Sequence, residues 1–373
     1  MDAPAFEQTT ANDRGPDTRL PAGPLRIAEI GGYELFSAAA PSQTDVYWSA
    51  TNPIGRAGEA LTPVTLAGLV RRLRAGAYDM VVIHPAQYPG WHPRTIAHVT
   101  ARWWPSSIRG LGASLLMPLA HQFRHVPMAA IDLGDGAGIE RHNFGLLDAV
   151  DIYFKRELPA DRWMVFTRTG HPRQPGARWR GLPLNERRIG KIRPLSLGHP
   201  WMPAARPPVE KTSDVFFAGA ARHSNTIRDT GIVELRRLAE EGYRIDIAEA
   251  LSAEDYLDRM ARAWLAWSPA GFGWDCYRHY EAPRVGTVPV MNYPTIVQHQ
   301  PFVDGVHCFY YRPEAGGLSE TIRRALTDKE RLRAIAAEAA SHVERHHTVR
   351  ARAEHVAVSL IGRGLDGTPG NPD

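Results

Sequence analysis

The chain is 373 residues long, 43% apolar and 23% charged, which is the range of a folded globular protein and excludes a largely disordered one. Lys and Arg outnumber Asp and Glu by 44 to 40, a formal net charge of +4, too small a surplus over this length to mark a nucleic-acid-binding surface. The two cysteines, Cys276 and Cys308, cannot make a disulfide framework or a four-cysteine zinc site and are expected as reduced, packed thiols.

The length predicts two domains. Residues 1–24, rich in Pro, Thr, Asp and Gly without apolar periodicity, read as a flexible arm. They lack the basic start and apolar run of a signal peptide, and no stretch approaches the roughly 18 apolar residues of a membrane span, so a cytoplasmic protein is expected. Leu25–Ile30 reads as a strand ending at Gly31–Gly32. Thr62–Pro63 opens a helix that runs to Leu73 and closes at Gly76. Met80–Ile83 is a continuous apolar run, as befits a strand covered on both faces. Helices over 95–103 and 113–123 follow, then buried strands Met128–Leu133 and Val150–Phe154. Residues 162–197 mix arginines with Gly and Pro and read as a long, partly irregular segment, and the Pro-rich stretch from His199 to Pro208 reads as a linker.

A second alternation follows. Strands are expected at Asp214–Ala218, Tyr243–Ile247, Ala263–Trp267, Val288–Met291 and Cys308–Tyr311. Helices are expected at Ser224–Glu240, at Ser252–Arg262 with a Ser252/Asp255 capping box, at Asp275–Arg284, at Leu318–Leu326, and from Lys329 to about Ile361 with a break. This pattern is two α/β domains in series with parallel sheets, over 25–198 and 213–345 with a 199–212 linker. The 346–373 tail keeps an apolar side (Val356, Val358, Leu360, Ile361) beyond the second sheet and is expected to return to the first domain.

The densest chemical signal lies between Ser268 and Ala282. There a strand runs into the Gly271–Phe272–Gly273 turn and on into a helix carrying Asp275, Arg278 and Glu281 three residues apart, beside Tyr277. A helix N-terminus at the carboxyl end of a parallel strand favours anions, and glycines let backbone N–H groups approach a phosphate. A cation for phosphate and a carboxylate for ribose hydroxyls on one helix side suit a nucleotide, although a solvated, salt-bridged face has the same spacing. A second strand–turn–helix, Phe217 to Arg228, offers Gly219, Arg222 and Arg228; it lacks the Gly-Lys-Ser/Thr ending of a P-loop.

The stretch Asp275 to Val290, DCYRHYEAPRVGTVPV, resembles the nucleotide-sugar-binding segment of exostosin-like and spore-maturation-type glycosyltransferases. Phe217-Ala218-Gly219 with Arg228 looks like their donor-phosphate loop. Residues 153–158, 194–198, 328–331 and 346–348 are also similar to segments of that group. The resemblance implies the glycosyltransferase B fold (GT-B), α/β with two Rossmann-like domains facing across a cleft. It further implies that Glu281 grips the donor ribose and that Arg278 and Arg228 face the diphosphate, with a UDP-sugar as the expected donor. One departure is Gly273, where many retaining members of the wider fold carry a second glutamate eight residues before the ribose one.

No Asp-any-Asp triplet occurs in the sequence, so no metal is expected, and arginines and helix dipoles are expected to neutralise the leaving group. For an inverting reaction Asp135 or Asp132, in the turn after the Met128 strand, is the candidate base, with His84 as rival; Asp132 also suits a plain turn hydrogen bond. His342 and His346 sit one helical turn apart, but Val343 stands where a zinc-protease helix carries its glutamate, so these two and His347 read as packing. The expected function is transfer of a sugar to a small-molecule or glycan hydroxyl acceptor. The alternatives are a nucleotide-sugar epimerase on the same fold and a non-catalytic scaffold.

Overall fold

The computed structural model describes residues 23–48, 58–85, 125–167, 180–198, 209–219 and 226–370. The arm, the helices expected over 95–103 and 113–123, most of the linker, and Arg222 lie outside the described residues.

The first domain holds a parallel sheet of β1 Ile27–Gly31, β2 Thr44–Trp48, β3 Glu59–Ala60, β4 Met80–Ile83, β5 Met128–Asp132, β6 Ile152–Lys155 and β7 Ile192–Pro194. Its order is β3-β2-β1-β4-β5-β6-β7. Helices α1 Phe36–Ala39, α2 Pro63–Arg74, α3 Phe144–Ala149 and α4 Pro183–Gly190 connect the strands. Thr62 caps α2 reciprocally: its hydroxyl accepts the Thr65 N–H at 3.2 Å, and its own N–H donates to Thr65 Oγ1 at 2.7 Å. The apolar run of β4 divides between two cores. Val81 and Ile83 pack with Leu69, Leu73 and Leu146 on one face, while Met80 and Val82 pack with Leu25, Phe36 and Phe154 on the other.

The second domain is a parallel sheet in the order β12-β11-β10-β8-β9. Its strands are β8 Ser213–Ala218, β9 Ile245–Ala248, β10 Ala263–Trp267, β11 Val288–Asn292 and β12 Phe309–Tyr311. The helices are α5 Thr226–Glu240, α6 Ala253–Ala261, α7 Tyr277–Arg284, α8 Gly317–Leu326 and α9 Lys329–His346. A final helix, α10 Val349–Ile361, leaves this domain. Its Ala353, Val356 and Ala357 are buried against Leu25, Phe36 and Ile131 on the first sheet.

In each sheet the chain passes from an early strand to one side and then returns to the other, and ligands favour the crevice at the carboxyl ends of such a switch. The switch lies between β1 and β4 in the first sheet and between β8 and β10 in the second. The arginine-rich 162–197 segment, expected as partly irregular, contains α4 and the edge strand β7; β2 and β3 also lie outside the sequence expectations.

Candidate donor and acceptor site

The carboxyl ends of the two sheets meet around a pocket of about 500 Å³. Tyr33, Asp135 and Arg156 line it from the first domain, and Arg228, Tyr256, Gly271, Tyr277, Arg278 and Glu281 from the second.

Strand ends hold the two arginines. Arg278 donates from Nη1 to the Ala218 carbonyl at 3.1 Å, at the end of β8, and its guanidinium lies over the Phe217 ring, 5.4 Å from the centroid. Arg228, on α5, donates from Nε to the Ala270 carbonyl at 3.2 Å, just after β10. Burial, and then the nearby Arg278 charge, lower the Arg228 pKa, the signature of two cations held close without full solvation. A Cβ on Gly219 would come 3.2 Å from Arg278 Nη1, at a backbone φ of +151°, so glycine there keeps the guanidinium close to the turn. Glu281 is nine-tenths buried and accepts the Tyr256 hydroxyl at 2.7 Å. Burial, and then the Glu281 charge, push the Tyr256 phenol well above its ordinary pKa, so it stays protonated and orients the carboxylate.

The loop between β10 and α7 is fixed from below and from the other domain. His279 accepts or donates at both ring nitrogens, to Ser268 Oγ at 2.7 Å and the Trp274 carbonyl at 2.9 Å. Burial lowers its pKa to about 3. The neutral ring therefore donates from Nε2 to the carbonyl and accepts the serine hydroxyl at Nδ1. Glu157, just past β6, sends its carboxylate across the cleft to accept the N–H groups of Trp274 and Asp275, both at 2.9 Å. A Cβ on Gly273 would lie 2.4 Å from Glu157 Oε1. The position where a second glutamate is common is thus a glycine because a carboxylate of the other domain approaches its backbone. Arg156 completes the junction, donating to the Asp275 and Leu133 carbonyls and, at 2.7 Å, to Asp135.

Two expected site residues are otherwise engaged. Asp275 accepts the Leu197 N–H and the Tyr280 hydroxyl, each at 2.6 Å, and burial raises its pKa. Its carboxylate joins the domains, and the residue also lines the pocket. Asp132 accepts the Gly134 N–H at 3.0 Å and the Tyr153 hydroxyl at 2.9 Å, and pairs with the buried Lys155 at 3.1 Å. That is the turn hydrogen bond the sequence also suited. Asp135 does line the pocket, its side chain 57% exposed. His84 is buried beneath Tyr33 and pairs through Nε2 with Glu29 at 3.0 Å. The sequence does not single out Tyr33 or Tyr256; Arg156 and Glu157 lie in the 153–158 segment noted for its resemblance, without a role of their own.

His342 and His347 share the Gln300 carbonyl at 3.0 and 3.1 Å, and His347 Nδ1 meets Ser196 Oγ at 2.9 Å. Among the described residues no group of three or more His, Cys, Asp or Glu side chains is arranged to hold a metal ion, and no helix is long and apolar enough to cross a membrane.

Residues 234–357, which include Tyr256, Arg278 and Glu281, match the family described as glycosyl transferase-like. No curated protein matches the chain. A glycosyltransferase from Rickettsia africae superposes with a TM-score of 0.51 at 8% identity, over 88% of this chain and 96% of its own. An alpha-glucosyltransferase solved with UDP-glucose and DNA containing an abasic site gives 0.50 at 10% identity, over 87% and 96%. The Anabaena protein HepE solved with UDP gives 0.48 at 11% identity, over 90% and 99%. The two facing α/β domains are those of the B-type glycosyltransferase fold, and the glycosyl transferase-like match falls on the domain that supplies the paired arginines and the buried glutamate.

Proposed function

We propose that the chain is a glycosyltransferase that moves a sugar from a nucleoside-diphosphate donor to a hydroxyl acceptor without a metal ion. The observation that carries this reading is the set formed by Arg228, Arg278, Glu281 and Tyr256, gathered at the switch point of the second sheet. Glu281, oriented by Tyr256, accepts the ribose hydroxyls. Arg278 and Arg228 face the diphosphate. When the bond from the anomeric carbon to the phosphate oxygen breaks, the electron pair stays on that oxygen, and two fixed guanidinium groups stabilise the growing charge. Asp135, from the first domain, is the carboxylate at the acceptor end and takes the acceptor's proton if the reaction inverts.

The test is a panel of UDP-, GDP- and TDP-sugars in EDTA, read for released nucleoside diphosphate with and without added hydroxyl acceptors. Release that depends on acceptor and yields a glycoside is expected; UDP-glucose is the first donor to try, since a neighbour of this fold holds it. Interconversion of the donor sugar without an acceptor would instead establish the epimerase alternative.

A further inference from the structure

Three aromatic residues that line the pocket are not among the donor contacts proposed above, and each comes from a different segment: Tyr33 after β1, Phe272 between Gly271 and Gly273, and Tyr277 in the first turn of α7. Phe272 is 92% exposed, and Tyr33 and Tyr277 are 37% and 43% exposed. Leaving a phenylalanine in water forgoes about 1.5–3 kcal/mol of burial, and the flanking glycines give Phe272 no neighbouring side chain to lean on. Tyr33 and Tyr277 belong to opposite domains but lie within electrostatic reach. Burial raises the Tyr277 phenol, Arg156 opposes this, and Tyr33 and Asp135 add to the rise.

Tyr33 is braced from behind. Its ring centroid lies 5.8 Å from that of His84, which is held by Glu29 at 3.0 Å. Glu29 in turn accepts the N–H groups of Leu35, Phe36 and Ser37 at 2.7, 3.1 and 2.8 Å. A Cβ on Gly31 would lie 2.5 Å from the His84 Cβ, so the two strand ends are locked together beneath the tyrosine. The buried Glu29–His84 pair thus supports the Tyr33 ring. Asp135, held by Arg156 at 2.7 Å, lines the same pocket.

Aromatic faces bordered by a carboxylate and a guanidinium fit a ligand with one apolar face and a hydroxyl-bearing edge. A pyranose ring has that shape: axial C–H groups on one face, equatorial hydroxyls around the rim. We propose that the part of the pocket lined by Tyr33, Phe272 and Tyr277 is an acceptor subsite for a pyranose sugar, stacked on these rings with a hydroxyl turned to Asp135. The word acceptor rests on the donor reading above; the sugar-binding surface does not.

Saturation-transfer NMR of the full chain with the methyl glycosides of glucose, galactose, mannose and N-acetylglucosamine, each with and without UDP, tests this. At least one glycoside is expected to bind, with transfer strongest at the ring protons of its apolar face. The double variant Tyr33→Ala/Phe272→Ala should lower that signal about tenfold or more, since two stacking partners are lost. Tyr33→Phe/Phe272→Trp should retain it. Binding that persists in the alanine variant, or no binding by any glycoside, overturns the proposal. Unchanged melting of the variants excludes misfolding, as both side chains are substantially exposed. If glycosides behave as expected while UDP does not bind, the donor reading fails and the subsite stands; the reverse pattern removes the subsite alone.

Discussion

Glu281 and Arg278 sit on one helix yet should fail in different ways. Glu281→Gln keeps the shape of a side chain oriented by Tyr256 but replaces a charged acceptor. Hydrogen bonds to charged groups contribute roughly 1.5–3 kcal/mol, so UDP affinity should fall on the order of tenfold to a hundredfold, and by less for the 2'-deoxyribose nucleotide. Tyr256→Phe removes only the orienting bond and should cost about threefold to tenfold. Arg278→Ala should act mainly on turnover, by about a hundredfold to a thousandfold, because the charge it meets grows as the sugar leaves. Steady-state kinetics and nucleotide titration of the three variants check this; near-normal values for all three would remove the donor-site assignment. At this scale the sequence showed which residues carry charge and not where each charge is used. Asp275, Arg278 and Glu281 share a spacing, but the partner of Asp275 is the Leu197 N–H, 78 positions away. The Trp274 N–H that Glu157 engages is 117 positions from it. No local pattern encodes such contacts.

Among the elements, the strands with a continuous apolar run were readable, and so were the second-sheet edges β9 and β12, whereas β2 and the first-sheet edges β3 and β7 were not. β4, β5, β8 and β10 are buried throughout their length or nearly so. β7 is a three-residue edge strand containing Arg193 and Pro194, and β3 has two residues at the other edge; edge strands need neither apolar alternation nor length. Of the apolar side expected on the last helix, Val356 is buried on the first-domain core, Leu360 and Ile361 are half-buried against it and Val358 is half-buried, while Ala353 and Ala357 were not singled out. Val356, Ala353 and Ala357 are fully buried on the first sheet, and a fully buried valine alone is worth about 1.5–3 kcal/mol. Truncation at Arg350 should therefore lower the melting temperature by roughly 5 °C or more and reduce solubility. An unchanged melting curve would contradict the packing.

The junction between α9 and α10 also predicts a pH dependence. Burial lowers His299 to about 3, His342 to about 4 and His347 well below its ordinary value near 6.5. Between about pH 4 and 6.5 the unfolded chain binds more protons at these sites, so stability rises with pH in that window and is lost on acidification. Asp275 and Glu157, raised by burial, act with the opposite sign above about pH 4. The histidine contribution is isolated by comparing His347→Asn with the parent: the variant should show a shallower loss of stability from pH 6.5 to 4.5. Equal slopes would show that these imidazoles do not titrate with unfolding.

For the whole molecule, the alternation of strands and helices was enough to read two parallel-sheet domains, because parallel crossovers require that rhythm. What it lacked was the closure. Glu157, Arg156 and Leu197 from one domain meet residues 274–275 of the other, and Tyr33 and Asp135 complete a pocket begun by Arg278 and Glu281. This interdomain pocket is expected to take a nucleoside diphosphate through arginines and a ribose-binding glutamate, with no metal. Calorimetric titration of UDP in EDTA, on the parent and on Arg228→Ala/Arg278→Ala, tests it most directly. The account predicts saturable, one-to-one binding by the parent and at least a tenfold loss in the double variant, the size expected when charge-assisted hydrogen bonds are removed. Binding that appears only when magnesium or manganese is supplied, or that is indifferent to loss of both arginines, would contradict it.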